Sequence, residues 1–520
     1  MEKRTPLNKH PKLAQPGKQT IAAIIEHACT LKGANIFVKD DQQELTGAEF
    51  WQSINAVAAN LSSMGLNKGD TVAFLCKSSV SHAIAMSACL VSGIVSCCLH
   101  TRETRVRNKT NVDILQAKVI FADFDLIGGA QEIAGSGTAP AIINLSHLAI
   151  AAATEDSFRP FELPSLTNGD AALILLSSGT TGRPKFVLHS QGTLAATAQF
   201  GPYNYDCWSS SGSTIVVMNP SFAAWIHTVL PFIAIQGRIL FGGIFDAALF
   251  LKTIEQEKLT LAPLVPTAWR MVLAAEPEKY DLTQLKTAFF SGEPGSESLV
   301  QSLKQNICPN VMTSYLAAEG GCASGIVAGS DILSVPGQAA STGRPVPNGH
   351  LKIVDPEGPI SVELAAGEVG EITLKSASLA VSYFGDAALD QEKFVDGWWR
   401  SGDLGYLDEE GLLFVKGRLD NRINSGGIKA HAEEIEAALL LHPDVQLAAV
   451  VGEPDQNWGE RIEAYLVSRN PALTGREVSE YCVNNDLLPM HLLPKAVYFR
   501  DTLPTGPTGK LFRRGLKTAE

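Results

Sequence analysis

Between Ile21 and Ser291, short apolar runs alternate with stretches of helical periodicity, and this alternation restricts the folds open to the chain more than any other feature. The runs Thr71–Leu75, Ile94–Leu99, Val119–Ala122, Ala171–Leu176, Ile215–Met218, Ile239–Phe241, Leu259–Ala262 and Thr287–Ser291 read as buried strands. Helical patterns over 45–61, 82–91, 225–235 and 247–258 lie among them. Strands joined through helices run parallel, so the pattern predicts two successive α/β layers. From Leu351 to Val415 the texture changes to short strands with turn residues, predicting a small β-rich, barrel-like subdomain. Gly417-Arg-Leu-Asp420 then marks a boundary, giving a large domain over 1–419 and a small α+β domain over 420–520. A chain of 520 residues exceeds the size at which one hydrophobic core stops growing, which agrees with more than one domain.

Charge and hydropathy remove several classes of function. A formal net charge of −12 with no basic run argues against a nucleic-acid partner. The most apolar region, 214–245, is interrupted by Asn219-Pro220, His227, Pro231, Gln236 and Arg238, so it reads as protein interior and not as a membrane span. No apolar core of signal-peptide type follows the polar start Met1–His10, and the expectation is a cytoplasmic protein, monomeric or homodimeric. The nine cysteines are dispersed, mostly in apolar sequence, and lack zinc spacing, as free buried thiols would be.

The strand ending at Leu176 runs into Ser177-Ser-Gly-Thr-Thr-Gly-Arg-Pro-Lys185. Gly179 and Gly182 permit tight backbone approach, the hydroxyls of Ser177, Ser178, Thr180 and Thr181 donate hydrogen bonds, and Lys185 adds a point charge. Such a loop suits the oxygens of a polyphosphate. It is not a GxxxxGK[ST] loop, because Arg183 and Pro184 separate the last glycine from the lysine and no hydroxyl follows.

Five further segments keep company with this loop in order: Ser291-Gly-Glu-Pro294, Tyr315-Leu-Ala-Ala-Glu319, Gly397–Gly405 with Gly417–Asp420, Asn421–Glu436, and Leu503–Arg514. Together they resemble the AMP-forming adenylating enzymes, the superfamily of acyl-CoA synthetases, nonribosomal-peptide adenylation domains and luciferases. The resemblance implies ATP and Mg²⁺ as cofactors, an acyl-adenylate intermediate, and a C-terminal domain that rotates about Asp420. It assigns phosphate contact to Ser177–Gly182 and Lys185, the adenine face to Gly292, Glu293, Pro294 and Tyr315, and Mg²⁺ to Glu319. It assigns the ribose to Asp403 and Arg418, the acceptor channel to Gly426 and Gly427, and charge neutralisation during adenylation to Lys510. Leu316 and Ala318 depart from the family's glycine and threonine, removing one phosphate contact and reshaping the adjoining pocket.

The acid pocket implied by the family draws on Phe222, Trp225 and Leu316, which suit an apolar, cyclic or aromatic carboxylic acid, although core packing serves Phe222 and Trp225 equally well. Asn219–His227 carries no aspartate to pair with a substrate ammonium, which disfavours an α-amino acid as the adenylated substrate. Two acceptors stay open. Met490-His-Leu-Leu-Pro-Lys495 lacks the basic anchor that thioester-forming relatives use for CoA, though Trp458 and Lys495 are present. The sequence therefore leans to an amino-acid amine, as in coronafacic acid ligases, with CoA as the alternative. A non-catalytic adenylate-binding protein is a third reading, motivated by Leu316 and Ala318.

Overall fold

The computed structural model describes residues 19–134, 140–146, 162–177, 184–293, 295–426, 428–505 and 511–516. The chain divides into two compact units, Met1–Leu351 with Leu374–Arg400, and Lys352–Thr373 with Ser401–Glu520.

Two sheets build the first unit. One has seven strands in the order Ser382–Tyr383, Lys185–Ser190, Ala171–Ser177, Val95–Cys98, Thr71–Leu75, Val119–Ala122, Ala141–Asn144. The other has nine, in the order Arg344–Pro345, Ile326–Ala328, Val311–Tyr315, Thr287–Ser291, Leu261–Leu264, Ser213–Val216, Arg238–Phe241, Ile36–Lys39, Glu44–Thr46. The central pairings of both are parallel, as the helical crossovers require. One core draws on both sheets, with Val72 and Phe74 from the first and Val38, Ile239 and Phe241 from the second. The helix Val80–Ser92 explains why its hydrophobicity runs all the way round: every residue but Ser81 is buried.

Most expected strands stand within two residues of their predicted ends, and two elements differ from expectation. The helix expected from Leu45 starts at Gly47, because Thr46 caps it by accepting from the Glu49 amide while Glu49 reaches back to the Thr46 amide. After the glycine-rich loop the chain enters a strand, Lys185–Ser190, antiparallel to Ala171–Ser177. Periodicity did not announce that strand, since Phe186-Val-Leu-His189 is buried on both faces and shows no alternation.

The small sheet expected over 351–415 has five strands, His350–Val354, Gly370–Lys375, Trp398–Leu407 and Phe394–Val395 in that order, with Leu413–Arg418 antiparallel on Trp398–Leu407. In the second unit another sheet runs Ile428–His431, Arg422–Ser425, Gly459–Ser468, Val445–Asp455, with Ala496–Phe499 parallel to Gly459–Ser468. Ile435 and Leu439 of the helix Ala432–Leu439, with Val478 and Cys482 of Gly475–Asn484, share a core with its Ile462, Ala464 and Leu466. All nine cysteines are free thiols, and eight are buried. Among the described residues no helix is long and apolar enough to cross a membrane.

Candidate active site

Ser177 and Lys185 are cross-strand partners, so the hairpin register holds the two ends of the glycine-rich loop opposite each other. The loop's Ser178, Gly179, Thr180, Thr181 and Gly182 lie outside the described residues, as do Pro294, Gly427 and Lys510. Around the foot of the hairpin the first unit assembles a compact polar group. Glu319 is 7% exposed, and its Oε1 accepts a hydrogen bond of 3.0 Å from the Tyr383 hydroxyl. The Trp399 indole N–H donates to that hydroxyl at 3.1 Å. Lys185 Nζ sits 5.6 Å from the centroid of the Tyr383 ring. Burial, followed by the adjacent Glu319 charge, pushes the Tyr383 phenol up, so it stays protonated and donates to the carboxylate.

Backbone contacts fix this arrangement. Ser382 and Tyr383 pair with Leu188 and Val187, the amide of Ala380 donates to Glu319 O at 2.7 Å, and the Ser378 hydroxyl donates to Gly320 O at 2.6 Å. Behind them, buried His189 contacts Ala318 O through Nε2 at 2.8 Å. A carbonyl only accepts, so Nε2 carries the proton, and desolvation lowers this imidazole to about 4, leaving it neutral near pH 7.

Pairing of Ser291 with Ser314 puts the turns after their strands at neighbouring strand ends, where Gly292 has φ +85° and Tyr315 closes its strand. Strand ends of this kind are where parallel sheets bind ligands. Glu293 is occupied structurally: its Oε2 accepts from the Thr267 hydroxyl at 2.8 Å.

The three residues assigned to the acid pocket differ in placement. Trp225 is 1% exposed, donates its indole N–H to Ser78 Oγ at 2.8 Å, and packs against His82 and Phe241. Phe222 and Leu316 are half-buried, the former with its ring 5.0 Å from that of His100.

In the second unit Asp403 and Arg418 face each other across antiparallel strands, Arg418 Nη1 lying 2.8 Å from Asp403 Oδ1. Arg418 Nε is also 3.4 Å from Asp420 Oδ1. Gly426 has φ +59°, and a Cβ there would come within 2.7 Å of Trp458 Cε3. Trp458 is 47% exposed, and Lys495 Nζ lies 5.2 Å from its ring centroid. Arg513 clamps Glu436 with two hydrogen bonds of 3.0 and 2.6 Å. Sequence reading missed Tyr383, Trp399, His189 and Arg513. Trp399 and Arg513 fall inside quoted motifs, whereas nothing local marked Tyr383 or His189.

Comparison with known proteins places the chain in a family and shows relatives of the same fold. A family model described as AMP-binding enzyme matches residues 25–384, and one described as AMP-binding enzyme C-terminal domain matches 434–510. A 2-succinylbenzoate–CoA ligase of Bacillus licheniformis is 30% identical, over 91% of this chain and 94% of that protein. The fatty acid–[acyl-carrier-protein] ligase ScoC of Streptomyces coeruleorubidus is 29% identical, over 98% of this chain and 97% of its own. Among solved structures, O-succinylbenzoate coenzyme A synthetase from Bacillus subtilis in complex with ATP and magnesium ion superposes with a TM-score of 0.84 at 23% identity, covering 95% of this chain and 99% of that one.

Proposed function

The chain belongs to the AMP-binding enzymes, and on that premise we propose that it activates an apolar carboxylic acid with ATP and passes the acyl group to a thiol, with CoA as the acceptor. The observation that carries this reading is the buried Glu319 carboxylate, which shares Tyr383 as a neighbour with Lys185 at the foot of the glycine-rich hairpin. Magnesium fits that donor set: Glu319 would hold it through a hard carboxylate oxygen, and the contact of that carboxylate with Tyr383 is to a neutral phenol that leaves its charge in place. When bound, it offsets the negative charge of the triphosphate.

In the first half-reaction a carboxylate oxygen of the acid bonds to the α-phosphorus as the bridge to the β-phosphate breaks, and pyrophosphate leaves. Lys185 and Lys510 supply the positive charge that offsets this change, Asp403 and Arg418 take the ribose, and Gly292, Glu293, Pro294 and Tyr315 border the base. Phe222 and Leu316, both half-buried, are the residues we assign to the wall toward the acid, while buried Trp225 belongs to the core against which Leu316 packs. In the second half-reaction a thiolate attacks the acyl carbon, AMP departs with the mixed-anhydride electrons, and the thiol proton passes to solvent. Asp420 is the proposed hinge, with Gly426 and Gly427 lining the acceptor passage.

The lean toward an amine acceptor gives way for two reasons. Both curated relatives act on thiol acceptors by name, CoA in one and an acyl-carrier protein in the other. Lys495 stacked on exposed Trp458 also supplies an aromatic and basic pair that the sequence around 490–495 alone did not reveal. Incubating the enzyme with ATP, Mg²⁺ and an apolar acid panel, and separately adding CoA, acyl-carrier protein or mixed amino acids, tests the acceptor by mass spectrometry. Acyl-CoA is expected. Amide with no thioester overturns the proposal.

A further inference from the structure

We propose that Tyr383 is a positioning residue that aims two groups at once: its hydroxyl orients the Glu319 carboxylate toward the metal, and its ring face holds the Lys185 ammonium toward the phosphates. This rests on the reading of Glu319 as a metal ligand. The geometry divides cleanly between the two ends of one side chain. The hydroxyl lies 3.0 Å from Glu319 Oε1, while the ring centroid is 5.6 Å from Lys185 Nζ. A carboxylate with one oxygen fixed has the direction of its other oxygen set as well.

Tyr383 is itself held on every side. It is 2% exposed, its amide donates to Asp390 Oδ1 at 2.6 Å, its ring packs 5.5 Å from that of Phe394, and the Trp399 indole N–H fixes the hydroxyl. The indole N–H donates into the Tyr383 oxygen, so the phenol's one proton is directed to Glu319. A phenol suits this task better than an ammonium, because it fixes the carboxylate without cancelling the charge a metal needs. Partners that orient a ligating carboxylate commonly set metal affinity by ten- to a hundredfold.

The test separates the hydroxyl from the ring and reads binding without turnover. Mn²⁺ affinity of the full chain with ATP and no acid is measured by water-proton relaxation, and metal-free ATP affinity by equilibrium dialysis with chelator. Tyr383→Phe is expected to weaken Mn²⁺ about tenfold and leave metal-free ATP affinity unchanged. Tyr383→Leu is expected to weaken both. Trp399→Phe, which keeps the tyrosine, is expected to weaken Mn²⁺ about two- to threefold, the low end for one neutral hydrogen bond. Glu319→Gln is the control for the underlying reading: if it leaves Mn²⁺ affinity unchanged, Glu319 is not a metal ligand. If Glu319→Gln weakens Mn²⁺ and Tyr383→Phe does not, the positioning role is overturned. Should Tyr383→Phe fail to fold, Trp399→Phe decides, and unchanged Mn²⁺ affinity there overturns it equally.

Discussion

A buried carboxylate such as Glu319 is costly unless something draws on its charge, which is why one residue's placement says so much about this chain. Glu319 stands in a motif the sequence shows, but the hydroxyl against it had no local signal, because Tyr383 is 64 positions away in sequence and is brought there by the Tyr383–Val187 pairing and by the Ala380 amide on Glu319 O. Trp225 shows the opposite problem: an aromatic beside a pocket and an aromatic in a core look alike until burial separates them. Gly426 is a residue whose conformation is forced, by φ +59° and by Trp458 where a side chain would go. Gly426→Ala is expected to cost about 1 kcal/mol of stability for the left-handed conformation. It should slow thioester formation while sparing pyrophosphate exchange; equal loss of both half-reactions, read by product mass and by isotope exchange, would remove Gly426 from the acceptor passage.

At the scale of elements, the parallel strands and their helices could be read directly, because buried strands are short apolar runs and helices recur every three to four residues. What escaped were elements whose existence depends on a distant partner. Ser382–Tyr383 is a strand only because Lys185–Ser190 presents an edge to it. The tail is similar: Arg513 matters through Glu436, 77 residues earlier on the helix Ala432–Leu439. Glu436 is 8% exposed, and desolvation pushes its carboxyl up against the opposing pull of Arg513. Removing the guanidinium strands a buried charge, so Arg513→Ala is expected to cost about 3 kcal/mol in the C-terminal unit. Limited proteolysis of the full chain, followed by mass mapping, should show earlier cleavage within 420–505, and a cleavage rate equal to the parent's would contradict the assignment.

The whole molecule responds to pH through its buried imidazoles. Desolvation lowers His82 and His227 to about 3 and His189 to about 4, against 6.5 for an unperturbed imidazole. The unfolded chain therefore takes up these protons first as pH falls. The stability the three contribute is complete above about pH 6.5 and drains below it, each at up to about 1.4 kcal/mol per pH unit. Asp123 and Glu436, which burial raises, offset part of this. The urea midpoint should be lower near pH 5 than near pH 7, and an unchanged or higher midpoint near pH 5 contradicts it. The existence of two α/β layers and a separate C-terminal portion was also legible at this scale, since it follows from chain length and changes of texture along the sequence.

The most direct measurement is isotope exchange between labelled pyrophosphate and ATP in the presence of a broad panel of apolar carboxylic acids, run with the parent chain and with Glu319→Gln. The account predicts exchange that depends on the acid and falls at least about a hundredfold in the variant, as expected when a preorganised charge site is removed. No exchange with any acid, or full exchange by the variant, would contradict it.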